Sequence, residues 1–202
     1  LLSELQKKRN HVAIVLDKRG VWTGFITMED IIEEIIGMVE DEFEVEPHIT
    51  LSDILGSGRI VLNVNAASIE ESVLQILTRI EPTQLPLPAA TIAQAMIKHE
   101  RESAMYIGGG LAIPHARVAE IEKPILVIGR SEDGIPVKGT LERAHLVFIL
   151  LTPEKSAYLQ ARLLARIGAL MQSEYVYDRL RYAQSPAEIL EVIKVGDAAT
   201  LS

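Results

Sequence analysis

The chain has 202 residues, 48% of them apolar, and its 28 acidic against 20 basic residues leave a formal net charge of −8. That balance, with no long Lys/Arg run, excludes a nucleic-acid footprint; the lack of cysteine excludes disulfides and thiolate metal sites and suits a reducing cytosol. The length exceeds that of a usual compact domain, and apolar runs such as residues 146–151 fall far short of the roughly 20 residues that span a bilayer, so a soluble cytoplasmic polypeptide of two parts is expected.

Leu1, Leu2 and Leu5 lie at helical spacing, and Lys7-Lys8-Arg9 follow where a helix C-terminus favours cations. With no signal-peptide pattern in front of it, this opening reads as the middle of a helix and the chain as a piece of a longer protein. Residues 11–16 and 21–26 are β-rich, and the turn Asp17-Lys18-Arg19-Gly20 between them predicts a hairpin. Thr27-Met28-Glu29-Asp30 is a capping box, opening a helix whose apolar face is Ile31, Ile32, Ile35, Ile36 and Val39. The charged run from Asp41 to Pro47 predicts a solvated linker, which divides the chain into domains 1–47 and 48–202. His48 has no obvious ligand partner, and no metal site or cofactor is expected.

In the second domain, residues 51–55 open the fold and residues 59–64 read as a strand. Ser68-Ile69-Glu70-Glu71 caps a helix that turns Val73, Leu74, Ile76 and Leu77 inward. After a loop at Pro86 to Pro88, residues 89–102 form the next helix, with Ile92, Ala95 and Met96 buried and His99 on its solvated side. Residues 124–130 and 144–151 are almost wholly apolar, as in strands buried on both faces, with a turn at Ser131-Glu132-Asp133-Gly134. Helices are predicted at 155–171, 174–180 and 186–195, the last with Pro186 at its first position. Strands interleaved with covering helices make this an α/β domain, a mixed central sheet flanked by helices.

The stretch with the strongest chemical signal is Gly108-Gly109-Gly110-Leu111-Ala112-Ile113-Pro114-His115-Ala116-Arg117. Glycines permit close backbone approach, residues 111–113 read as a short buried strand, and Pro114 removes a ladder donor where His115 is presented. On spacing alone His115 is either a reactive imidazole at a strand end or a structural histidine after a turn. His145, at the start of a strand, reads as structural.

Two resemblances are carried by these residues. Gly24-Phe25-Ile26-Thr27-Met28-Glu29-Asp30 resembles the end of a CBS domain, and the following run from Ile31 to Glu42 resembles the second CBS domain of hemolysin C and CorC/CNNM-type membrane proteins, associated with divalent-cation export. The resemblance implies an incomplete CBS α/β unit, with Thr27 near the phosphate and Asp30 on the ribose of an adenine nucleotide bound by the complete CBS pair of the longer protein. An incomplete unit is also expected to seek a partner, such as a second copy of the chain. Residues 101–102, 107–117, 146–153 and 163–167 resemble the enzyme IIA domain of the phosphotransferase system, in its fructose/mannitol and nitrogen-regulatory branch.

That second resemblance implies that His115 accepts a phosphoryl group from a histidine phosphocarrier protein, with Arg101 neutralising phosphate oxygens. Arg117, Gly109 and Gly110 are supporting candidates. The family's second histidine, at the start of the helix after Pro153, is replaced here by Gln160, or by Tyr158 in a register shifted by two. Two functions are therefore expected as alternatives: a phosphorylatable regulatory domain, in the cytoplasmic tail of an ion-transport protein, or a IIA-like interaction module without phosphotransfer.

Overall fold

A computed structural model describes residues 12–16, 18, 19, 22–27, 49–100 and 105–199, as backbone alone at 12–16, 22–27, 98–100 and 199. The chain divides into two compact units, Leu1–His48 and Ile49–Ser202. In the first, β1 (Val12–Leu16) and β2 (Trp22–Thr27) form the expected antiparallel hairpin, in register from Val12↔Thr27 to Leu16↔Trp22 with one shift between Val15 and Leu16. The helices expected on either side of it, and with them Asp30 and His48, lie outside the described residues.

The second unit opens with α1 (Leu51–Leu55). The Thr50 hydroxyl accepts from Asp53 N while the Asp53 carboxylate accepts from Thr50 N, a reciprocal cap. These bonds hold the Asp53 carboxyl below the usual carboxylate range. The strand expected at 59–64 narrows to β3 (Ile60–Val61), because Asn63 turns into the left-handed region at φ 53°. Then come α2 (Ile69–Thr78), capped by Ser68 as expected, and α3 (Ala89–Glu100). Leu74 departs from the expected inward face and is exposed, as is Ile97; Ala93 rather than Ala95 takes the buried position on α3.

The short strands β4 (Tyr106–Gly108), β5 (Leu111–Ala112) and β6 (His115–Val118) are followed by two long ones, β7 (Ile125–Pro136) and β8 (Arg143–Pro153). Helices α4 (Ala157–Met171), α5 (Glu174–Arg181) and α6 (Pro186–Ala199) complete the unit. The sheet order is β3-β7-β8-β5-β4, with β6 also on β8. β7 runs antiparallel to β8, whereas β5 and β6 run parallel to it and pair with successive stretches of it. The mixed sheet flanked by helices is thus the expected architecture.

The turn expected at residues 131–134 is instead a bulge inside β7, where the register shifts between Arg130 and Ile135. Side chains of β8 satisfy the freed carbonyls: Arg143 donates to Asp133 O at 2.7 Å and Gly134 O at 2.8 Å, and the His145 ring to Ser131 O at 3.3 Å. The chain reverses later, at residues 137–142, where Val137 N donates to Glu142 O and Gly139 takes φ 81°.

Alternation along β8 sends Val147, Ile149 and Leu151 into one apolar cluster with α2 and α3, and Leu146, Phe148 and Leu150 into another with α1, α4, α5 and α6. Asp197 on α6 joins three elements of the second layer: its carboxylate accepts from Leu51 N at 2.6 Å and pairs with Arg166 of α4. On the opposite face α2 lies so close to the sheet that a Cβ on Gly129 would sit 2.2 Å from Ile76 Cδ1.

Gly129→Ala is therefore expected to destabilise the domain by about 1–3 kcal/mol through overpacking. Ile76→Val, which deletes the colliding methyl, restores part of that loss in the double variant. Thermal or urea melts of the four-membered cycle measure the coupling, and strictly additive effects would disprove this contact.

Candidate functional site

His115 is the first residue of β6, placed there by the break at Pro114. Proline has no N–H, so the edge formed by β5 and β6 cannot run unbroken. Its carbonyl still accepts from Leu150 N at 2.9 Å, which keeps β8 paired across the interruption. His115 stands opposite Leu150 and therefore shares the sheet face that carries Leu111, Ile113, Leu146, Phe148 and Leu150, the face covered by α4.

The ring is half-buried, and its Nδ1 lies 2.9 Å from the Ile113 carbonyl oxygen. A carbonyl only accepts, so Nδ1 carries the proton and donates it to this bond. In the neutral imidazole that leaves the lone pair on Nε2, the ring nitrogen turned away from the backbone. A short loop of backbone thus selects the tautomer and presents one nucleophilic nitrogen.

Arg117 lies two residues along β6, on the same face as His115 and exposed. It stands opposite Thr152, a fully buried threonine, and among the described residues Thr152 Oγ1 is a buried side-chain oxygen with no hydrogen-bond partner. An unsatisfied buried hydroxyl costs about 1–3 kcal/mol. Sequence reasoning assigned Thr152 no role; the signal was a polar residue closing the otherwise apolar run from Leu146 to Leu151.

Beyond Pro153 the chain enters α4. The side chain of its N-cap, Ser156, takes no capping bond, and no acidic residue occupies the first turn, so the positive end of the helix dipole has no counter-charge within the helix itself. Within this turn Tyr158 is exposed, with the Arg162 guanidinium 5.8 Å from its ring centre. Gln160 is half-buried, beside the buried stripe of Leu159 and Leu163. Of the two positions considered for the second histidine, Gln160 is the one directed toward the protein.

Gly108, Gly109 and Gly110 take φ of 100°, 60° and 80°, conformations that side chains disfavour. They do not sit with His115. The Gly110 carbonyl accepts from His145 N and Leu146 N, at the other end of the register from Leu150, four residues or about 13 Å along β8. A Cβ on Gly110 would lie 2.1 Å from Tyr177 Oη, and Gly110 N donates to Tyr106 Oη at 3.0 Å. The glycines form a tight turn packed under Tyr177, whose hydroxyl pKa is raised by burial. His145 belongs to that end too, its ring against Gly134 and bonded to Ser131 O. Arg101 and the side chains of Thr27 and His99 lie outside the described residues, and among the described residues no group of three or more His, Asp or Glu is arranged to hold a metal ion.

Residues 53–195 match the family described as "Phosphoenolpyruvate-dependent sugar phosphotransferase system, EIIA 2". The chain is 27% identical over 148 residues to the fructose-specific EIIABC component of the phosphotransferase system of Bacillus subtilis, covering 73% of this chain but spanning only 23% of that protein. It is 30% identical over 154 residues to the nitrogen regulatory protein of Pseudomonas aeruginosa, covering 72% of this chain and 95% of that protein. A shorter match, 44% identical over 54 residues, is to the magnesium and cobalt efflux protein CorC of Buchnera aphidicola, covering 27% of this chain and 19% of that protein. Among solved structures, the nitrogen regulatory protein IIA-Ntr of Neisseria meningitidis superposes with a TM-score of 0.63 at 21% identity, over 70% of this chain and 97% of its own, a likeness of fold.

The backbone bond to Nδ1 makes the tautomer of His115 a measurable property. Long-range nitrogen–proton NMR on the neutral ring is expected to show a protonated Nδ1 and an unprotonated Nε2, and the reverse assignment would refute the Ile113 contact.

Proposed function

This chain belongs to the EIIA 2 family of the phosphoenolpyruvate-dependent sugar phosphotransferase system, and from that premise we propose that His115 accepts a phosphoryl group. The observation that carries the reading is the bond from Nδ1–H to the Ile113 carbonyl, which leaves Nε2 as the attacking nitrogen. The donor is a phosphorylated histidine phosphocarrier. The Nε2 lone pair forms the new bond to phosphorus while the bond from phosphorus to the carrier's imidazole breaks, its electron pair returning to that nitrogen. The Nδ1 proton stays where it is, and the charge gained by the ring is shared with the Ile113 carbonyl. Phosphoryl transfer asks chiefly for positioning and charge neutralisation. Arg117 on the same strand face and the uncapped start of α4 supply positive potential, and Arg101 is the second cation of the proposal.

The biological setting proposed is regulatory: the cytoplasmic region of a cation-transport-associated membrane protein. Partial similarity to CorC supports it. Residues 1–47 are then the end of a CBS pair, with Thr27 and Asp30 contributing to an adenine-nucleotide site completed by the rest of the longer protein. Calorimetry of ATP with that longer chain is expected to show binding, and no heat would remove this part of the proposal.

One observation favours a second reading, in which the fold serves as an interaction module without phosphotransfer: residues 157–161 at the start of α4 contain no histidine. The two readings part in one experiment. Incubated with labelled phosphoenolpyruvate, enzyme I and the phosphocarrier, the chain is expected to take up an acid-labile phosphate that His115→Ala abolishes. A wild-type chain that stays unlabelled, under conditions that label a nitrogen-regulatory IIA protein, would instead support the interaction module.

A further inference from the structure

We infer that the Thr152 hydroxyl binds the phosphoryl group carried by His115, donating a hydrogen bond to one of its oxygens; the inference rests on the reading of His115 as the acceptor. Thr152 is fully buried, and its Oγ1 has no partner among the described residues. Valine fills the same volume, suits a buried strand equally well and carries no hydroxyl to leave unsatisfied. A threonine at this position thus weakens the folded state for the sake of a group the resting protein does not use.

The place of that group says what it is for. The pair Arg117↔Thr152 is two residues along from His115↔Leu150, and both pairs present their side chains to the face under α4. The separation along the strands is about 7 Å, a span that an imidazole bearing a phosphoryl group can bridge. Oγ1 both donates and accepts, but its neighbours select the ligand's charge. Arg117 stands opposite it, α4 begins within four residues with no acidic group in its first turn, and in the loop between Thr152 and α4 Glu154 and Lys155 are both exposed and of opposite charge. A neutral donor between two sources of positive potential is matched to an anion's oxygen. It also takes the supporting role for which the start of α4, residues 157–161, offers no histidine.

The test compares Thr152→Val and Thr152→Ser with wild type in the complete chain. Each is brought to equilibrium with labelled phosphoenolpyruvate, enzyme I and the phosphocarrier, and the ratio of phosphorylated His115 to phosphorylated carrier is read. Thr152→Val is expected to lower that ratio roughly tenfold, as loss of a hydrogen bond to a charged group should, while melting no earlier than wild type. Thr152→Ser, which keeps the hydroxyl, restores most of the ratio. Equal labelling of wild type and Thr152→Val overturns the inference and leaves the acceptor reading intact; equal losses in the Val and Ser variants assign the effect to packing and overturn it as well. If Thr152→Val does not fold, Thr152→Ala is judged by the same ratio. A wild-type chain that takes no label overturns the acceptor reading, and this inference with it.

Discussion

Strand β8 is buried along almost its whole length on both faces, so each of its backbone N–H and C=O groups must find a partner within the protein. Those partners come from β7 on one edge and from β5, Pro114 and β6 in succession on the other. The rest of the second unit follows from this requirement. Two apolar faces demand two helical layers, α2 and α3 on one side and α1, α4, α5 and α6 on the other. A proline in the edge breaks the pairing strand in two, yet Leu150 N of β8 keeps its acceptor there, the Pro114 carbonyl.

That break also sets the geometry of the candidate site. Immediately after it, His115 begins a new strand with its ring turned back on the Ile113 carbonyl, and one bond decides which nitrogen is basic. On the same face Arg117 supplies charge, Thr152 an unspent hydroxyl, and α4 the positive end of a helix. Each of these features is unfavourable or neutral for stability in the resting protein: a half-buried imidazole, an orphaned hydroxyl, an uncapped helix. Their gathering at one end of β8, while the remaining core is continuous and apolar, is the pattern expected where folding gives way to chemistry.

How much of this was legible beforehand depends on the kind of signal. Strands 124–130 and 144–151 were readable because an apolar run too short for a helix and too uniform for a surface strand has few other homes. The Ser68 cap was readable because it is a local contact. The bulge at residues 131–134 was not, since Ser-Glu-Asp-Gly has turn chemistry and only the side chains of Arg143 and His145, arriving from another strand, make continued pairing affordable. Leu74 misled for a related reason: an amphipathic pattern does not say how wide the buried stripe will be, and the sheet covers only part of α2.

The sequence by itself determined the family, the α/β class and His115 as the residue to examine, because these rest on local pattern: glycines, a proline and a histidine in fixed order beside apolar strands. What stands around His115 was decided only by the tertiary structure. The glycine turn, adjacent in sequence, lies at the far end of the register with His145 and Tyr177, while Thr152, thirty-seven residues downstream, comes to the same face through the parallel pairing of β6 with β8. Strand register is set by long-range hydrogen bonds and by which face is buried, and no property of either segment taken alone specifies it.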